Sequence, residues 1–155
     1  MKNETKTGRQ SVNNFLAQKI IAVAGVSRNE RKFGNAAYNE LKKKGYKVYP
    51  VNPNMNEMMG EKCYPDLHSL PEKPGGVFIC LKAQETEKVV KEAAELKINN
   101  IWMQQGSESS EAIKYCRQNN IDVVHNECIL MFVEPLLFGH KAHRWIKGIF
   151  GRLPN

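Results

Sequence analysis

The sequence predicts an α/β domain built on a five-stranded parallel sheet, and three observations predict it. Short apolar runs rich in branched residues recur along the chain, as strands covered on both faces do. Segments with apolar residues at helical spacing separate them, so strand and helix alternate about every 25 residues. The first run stops at Gly25 and the second at Asn52-Pro53, the points where a strand gives way to its loop. Alternation of this kind implies right-handed crossovers. The architecture expected is therefore a Rossmann-like three-layer domain, with strand order 3-2-1-4-5 and a C-terminal helical extension.

Residues 20–24 are a continuous apolar run and form the first strand. Residues 27–32 are a polar loop. Residues 35–44 read as a helix with Ala36, Ala37 and Leu41 toward the core, and Gly45 ends it. Residues 46–51 alternate as a second strand. Residues 54–75 are a long connection carrying Gly60, Pro65, Pro71 and Pro74, with a short helical turn expected around 56–59. Residues 76–81 are the third strand, again nearly all apolar. Residues 86–96 place Val89, Val90, Ala93, Ala94 and Leu96 on one helical face. Residues 100–103 are the fourth strand, with Trp102 and Met103 read as core. Residues 109–118 form the next helix, with a serine ahead of Glu111 as its start signal. Residues 121–124 are the fifth strand.

Beyond them, Ala142, Trp145, Ile146, Ile149 and Phe150 recur at amphipathic spacing, with Lys141, Arg144 and Lys147 opposite. The expected organisation is a domain over 16–134, a basic amphipathic extension over 135–155 and a polar N-terminal tail over 1–15.

At 155 residues the chain has the length of one domain. Its 41% hydrophobic and 25% charged residues exclude a disordered or collagen-like chain. No apolar run approaches the ~20 residues of a spanning helix. Residues 1–18 lack an apolar signal core, so the expected setting is cytoplasmic, with reduced thiols. Cys63, Cys80, Cys116 and Cys128 include no C-x-x-C pair, and no metal site is expected.

The net charge of +7 lies in two ends, residues 1–19 and 139–155, around a neutral middle. Nucleic-acid binding needs that charge on one folded face with a reader motif, and none is present, so nucleic acid is not an expected partner. The tail packs on the chain's own sheet or on a second copy in a homodimer. A membrane surface or a protein groove is the other reading.

In an open parallel sheet, ligands bind beyond the carboxyl ends of the strands. The loops after the strands are therefore the candidate site. The first is the most informative. Gly25 ends a strand and a helix begins near Gly34, so loop and helix amides face one point and suit an anion. Ser27 adds a hydroxyl, and Arg28, Arg31 and Lys32 add positive charge. The spacing is not G-x-G-x-x-G, and no Gly-Lys-Ser/Thr is present. On residues alone, a phosphate loop and a plain tight turn with a solvated basic loop both remain open.

Gly25-Val26-Ser27, followed after four residues by Lys32-Phe33-Gly34, resembles the opening of the small stand-alone CoA-binding proteins. These are similar to the CoA-binding domain of the succinyl-CoA synthetase alpha subunit. The resemblance continues through Gly45-Tyr46-Lys47-Val48-Tyr49-Pro50-Val51-Asn52-Pro53 and Gly60-Glu61-Lys62-Cys63-Tyr64-Pro65-Asp66-Leu67. Trp102-Met103-Gln104-Gln105-Gly106 and Asn126-Glu127-Cys128 complete it, over roughly residues 16–134.

The resemblance implies coenzyme A or an acyl-CoA as ligand, and implies roles by position. Gly25, Val26, Ser27 and Lys32 would hold the phosphates, with Arg28, Phe33 and Gly34 in the same loop. Val51, Asn52 and Pro53 would flank adenine and ribose. Leu81, Lys82 and Ala83 would close over the nucleotide. Gln105, Gly106, Asn126 and Cys128 would line the path to the pantetheine end. Two departures stand out: Pro74-Gly75-Gly76 replaces a common acidic residue before the third strand, and Lys82 stands where the family often has Arg. Lysine keeps the charge and loses the fork.

An NAD(P)-type binder or small oxidoreductase is the alternative. The missing glycine fingerprint, and the absence of an acid at the end of the second strand, weigh against it. An interaction module working through the basic C-terminal helix is a further alternative. No catalytic residue is assigned, because the phosphohistidine domain of the synthetases is not represented. His68, His125, His140 and His143 are the only histidines, and none lies in a glycine-rich setting. Cys128, near His125 and Glu127, is the one candidate nucleophile, with a mixed disulfide to the CoA thiol as its most specific use. The function expected is binding without catalysis, in a sensor, carrier or regulatory role.

Overall fold

Five parallel strands form the central sheet of the computed structural model, which describes residues 8–133. In chain order the elements are α1 (Arg9–Leu16), β1 (Ile20–Ala24), α2 (Phe33–Lys43), β2 (Lys47–Val51), β3 (Glu57–Met58) and β4 (Glu61–Lys62). They continue with β5 (Gly76–Ile79), α3 (Ala83–Glu95), β6 (Asn100–Gln104), α4 (Ser110–Gln118), β7 (Asp122–Glu127) and α5 (Leu130–Val133). The expected extension over 135–155 lies outside the described residues, as do residues 1–7.

Alternation along each strand builds the two layers. Ile21 and Val23 of β1, Phe78 of β5, Trp102 of β6 and Val124 of β7 point to one face, where α1, α2 and α5 cover them. Ala22 and Ala24, Val77 and Ile79, and Ile101 and Met103 point to the other, under α3 and α4. Both layers are apolar, which is why these strands read as unbroken apolar runs.

The α/β fold class is as expected, and the strand order is not. The sheet runs β2-β1-β5-β6-β7, so the third long strand pairs with the first instead of lying outside the second. The physical reason is Pro50. It has no N–H to give to a further strand, so β2 is suited to an edge. The outer side of β2 is capped by the long connection, where Tyr64 N–H donates to Pro50 O at 3.0 Å and Tyr64 O accepts from Asn52 N–H at 2.9 Å. The chain then returns past β2, and β5 begins beside Ile21.

Two local expectations also change. Residues 56–59 are not a helical turn: β3 and β4 form an antiparallel hairpin, with Met59 and Gly60 at positive φ in its turn. Residues 9–15, grouped with the polar tail in the sequence reading, form α1 together with Leu16. Val12 and Phe15 are buried, and Ser11 and Asn14 both bond the Asp122 carboxylate. Phe15 fits because residue 76 is glycine, where a Cβ would come 2.9 Å from its ring. Only two buried side chains and no side-chain N-cap mark α1, too little pattern to read from sequence.

Candidate ligand site

All the loops singled out from the sequence leave the same edge of the sheet, the carboxyl ends of the strands. The loop after β1 turns toward α2 and the loop after β5 toward α3, on opposite faces of the sheet. The chain direction therefore reverses between β1 and β5, and a crevice opens there by topology alone.

The β1–α2 loop is fixed by close backbone contact and by one buried side chain. Gly25 adopts φ +128°, and a Cβ there would lie 2.3 Å from Cys80 O. A Cβ at Gly34 would lie 2.2 Å from Gly25 O. The pair of glycines thus lets the start of α2 touch the end of β1. Asn35, buried at the start of α2, accepts from Ser27 N–H at 2.8 Å and donates to Ser27 O at 2.8 Å and Asn29 O at 3.3 Å. Ser27 Oγ in turn accepts from Asn29 N–H at 3.1 Å. The neighbouring strand end joins the same network. Asn52 Nδ2 donates to Val26 O at 2.7 Å, and Arg28 donates to Asn54 O at 2.7 Å.

Two sets of groups at this end of the sheet are left for something else. Among the described residues, the backbone N–H groups of Val26 and Arg28 donate to no protein acceptor. Lys32 and Lys82 are exposed and form no ion pair there, while Arg28 is held by its carbonyl partner. Lys32 is the first residue before α2 and Lys82 the first before α3, so both residues stand at helix N-termini, which favour anions.

Across the crevice, Cys80 follows β5 and Leu81 N–H donates to Ser107 Oγ at 3.1 Å. Ser107 also donates its own N–H to Gln104 O at 2.7 Å, joining the ends of β5 and β6. Gln104 is buried, and its Oε1 accepts from Ile129 N–H at 3.1 Å, joining β6 to the start of α5. Glu127 O accepts from Gln105 N–H at 3.2 Å and from Trp102 Nε1 at 3.3 Å, across an irregularity in the β6–β7 ladder.

Two side-chain atoms in this corner are buried without a partner among the described residues: Gln104 Nε2 and Glu127 Oε2. Buried polar atoms are ordinarily bonded, so an orphan donor and an orphan acceptor on paired strand ends call for an occupant. Burial raises the Glu127 carboxyl above the usual carboxylate range.

The structure thus brings Gly25, Val26, Ser27, Arg28, Lys32, Phe33, Gly34, Val51 and Asn52 into one corner, with Leu81 and Lys82 on the facing strand. Pro53 is exposed beside Asn52. Gln105, Gly106, Asn126 and Cys128 follow the next two strands, with Gly106 and Asn126 both in left-handed backbone.

Cys128 is not the accessible thiol that a strand-end nucleophile requires, since only 2% of it is exposed. His125 precedes it by three residues in the chain. Burial, together with Arg117, lowers the imidazole below its usual range, and its Nδ1 lies 3.0 Å from Asn126 Nδ2. Asn35, Cys80, Gln104 and Ser107 were given no role at the site in the sequence reading. Asn35 alone carried a signal: an amide one residue after Gly34, placed to fold back on the loop.

A doubly wound parallel sheet with a glycine turn at its switch point is a Rossmann-like domain in class. Comparison with known proteins narrows this. The family model described as "CoA binding domain" matches residues 19–134, and the chain belongs to that family. Membership supports coenzyme A as the ligand, and nothing found supports NAD(P).

One relative is the ADP-forming acetate–CoA ligase II of Archaeoglobus fulgidus, 34% identical over 99 residues, which are 62% of this chain and 15% of the ligase. Ligase I of the same organism is 36% identical over 74 residues, 48% of this chain and 11% of that enzyme. The chain therefore spans only a small part of these enzymes. Among solved structures, a hypothetical protein from Pyrococcus horikoshii OT3 superposes with TM-score 0.76 at 29% identity, covering 88% of this chain and 99% of that one.

Proposed function

We propose that the protein binds coenzyme A or an acyl-CoA with its phosphates at the 25–34 loop, and works by binding rather than by catalysis. A sensor, carrier or regulatory role fits this reading. The observation that carries it is the β1–α2 loop itself. Asn35 holds it in place, and among the described residues two of its amides have no protein acceptor and Lys32 forms no ion pair.

A pyrophosphate takes such amides and a helix N-terminus readily, and a 3′-phosphate favours further cations at the rim. In this reading Gly25, Val26, Ser27, Arg28, Lys32, Phe33 and Gly34 surround the phosphates. Val51, Asn52 and Pro53 flank adenine and ribose, and Leu81 and Lys82 close the opposite side. Gln105, Gly106, Asn126 and Cys128 border the pantetheine arm, with Gln104 Nε2 and Glu127 Oε2 as the donor and acceptor for its amides.

Calorimetric titration of ligand-stripped protein tests this, with CoA, acetyl-CoA, dephospho-CoA, NAD⁺ and NADP⁺. CoA is expected to bind, dephospho-CoA more weakly, and Ser27→Ala and Lys32→Ala are each expected to weaken CoA. Preference for a nicotinamide nucleotide, or no binding of CoA, overturns the proposal.

A further inference from the structure

β2 is an edge strand, and only the far half of its outer side is capped. The hydrogen bonds at its two ends show which groups point outward. Lys47 N–H donates to Lys19 O, and Val51 O accepts from Gly25 N–H, so residues 47, 49 and 51 face β1. Residues 48, 50 and 52 therefore face away from it. Pro50 O and Asn52 N–H are taken by Tyr64 of the long connection. Val48 is left. It is only 7% exposed, and among the described residues neither its N–H nor its C=O has a partner. Backbone groups of buried residues are ordinarily paired, so this donor and acceptor on an open edge suit an added strand.

A groove of about 290 Å³ reaches from Tyr46 to Pro50 along the same stretch. Its walls are basic and aromatic. Lys42, Lys47 and Lys62 line it beside Glu61. Lys47 lies 5.6 Å from the centre of the Tyr49 ring and Lys62 5.2 Å from that of Tyr64. The two rings meet edge-on at 5.8 Å, so both ammonium groups belong to one side of the groove. Lys62 is exposed and forms no ion pair among the described residues. Lys42 pairs with Glu61 and Lys47 with Glu72, but all four side chains are more than a third exposed, where such pairs are weak and change partners readily.

We propose that this groove binds an extended acidic segment of a partner protein, which joins the sheet as a sixth strand beside β2. Val48 donates its N–H to the added backbone and accepts from it through its C=O. Alternate side chains of an extended segment share one face, so carboxylates at every second position meet Lys47 and Lys62. A second copy of this chain is a poor occupant. Pairing β2 with β2 would set Lys47 and Lys62 against their own counterparts, on a chain of net charge +7. The charge that deters a second copy selects an acidic strand. This edge lies outside the strand-end crevice, and the proposal does not rest on the CoA reading.

The test is titration of the isotope-labelled full chain with acetyl-Glu-Val-Glu-Val-Glu-amide, followed by amide NMR. One control peptide has lysine in place of each glutamate, and a second has proline in place of the central glutamate. The acidic peptide is expected to shift the Val48 amide and slow its exchange with solvent, and to bind more weakly as salt rises. The lysine peptide is expected not to bind. The proline peptide has no N–H at its centre and is expected to bind about tenfold more weakly than the acidic one. Lys62→Glu is expected to weaken the acidic peptide about fivefold, and Lys62→Gln roughly twofold.

No binding of the acidic peptide, binding that leaves the Val48 amide unmoved, equal binding of the lysine peptide, or indifference to Lys62→Glu overturns the proposal. Protection of Val48 in peptide-free protein that grows with protein concentration also overturns it, and assigns the edge to a second copy.

Discussion

Removing the Asn35 side chain tests the loop most directly. Asn35 is 5% exposed and makes two bonds of 2.8 Å and one of 3.3 Å to the loop it faces. At ~0.5–1.5 kcal/mol for each net bond, the two short ones are worth ~1–3 kcal/mol. Water reaches half-buried Ser27 and repairs part of the loss, and alanine suits the first turn of α2 better than asparagine by up to ~0.7 kcal/mol.

The net cost of Asn35→Ala is therefore ~1–2 kcal/mol, read as a lower urea midpoint with an unchanged slope. CoA affinity should fall further than stability alone explains. The ligand must then order the loop itself, and each ~1.4 kcal/mol of ordering is tenfold in Kd.

Asn35→Asp separates the two effects. It keeps the acceptor for Ser27 N–H, and a negative charge suits the start of α2, but the donor to Ser27 O and Asn29 O becomes a buried carboxylate oxygen, so stability drops at least as far. The same charge faces the phosphates, so affinity drops more than in Asn35→Ala. Unchanged stability and affinity in Asn35→Ala would refute the claim that this side chain sets the loop. Equal CoA affinity in the two variants would refute the placement of phosphate beside it.

Three further outcomes are expected. Gly34→Ala drives a Cβ to 2.2 Å from Gly25 O, backbone against backbone, and should cost ~1–3 kcal/mol or more in thermal or urea unfolding while abolishing CoA binding. Glu127→Gln should raise the melting temperature at pH 7. Its carboxyl is raised in the folded state, so the fold binds more protons than the unfolded chain and loses stability as pH climbs through the carboxylate range; the gain should vanish below that range. Ser109→Ala removes the one side-chain N-cap found on α4, an acceptor for Ala112 N–H at 3.3 Å, and should cost ~0.5–2 kcal/mol in urea unfolding.

The five long strands and three of the helices were legible because burial on both faces leaves an unmistakable apolar run, and α2, α3 and α4 keep one apolar stripe each. Strand order was not read correctly, although Pro50 held the clue: an interior second strand would waste a ladder position on a residue with no N–H. The hairpin of β3 and β4 has only two residues on each side, too few for any periodicity.

At the site, the residues that announce themselves by type were found: glycines, a serine, cations. Those that act through geometry were not. Asn35 and Ser107 are ordinary polar residues whose importance comes from what lies opposite them. Cys80 looked like one more strand residue until β5 was placed beside β1, and Cys128, a candidate nucleophile by its place after the last strand, is buried.

The corrected strand order also changes what the site can hold. With β5 next to β1, the glycine turn faces Cys80 and Lys82, not the end of β6. The rim of the crevice then carries Arg28, Lys32 and Lys82, while the corner beyond it, toward β6 and β7, carries Gln104 Nε2 and Glu127 Oε2, which have no partner among the described residues. Cations therefore give way to an amide and a carboxyl along one line. Each desolvated orphan costs ~1–3 kcal/mol unless something bonds it, a cost that a ligand with phosphates at one end and amides further along would relieve on binding. A nicotinamide dinucleotide ends in a second ribose and a ring, and has no flexible amide chain to send into that corner. The order of the strands thus favours a long ligand, anionic at one end and amide-bearing at the other, over a compact dinucleotide.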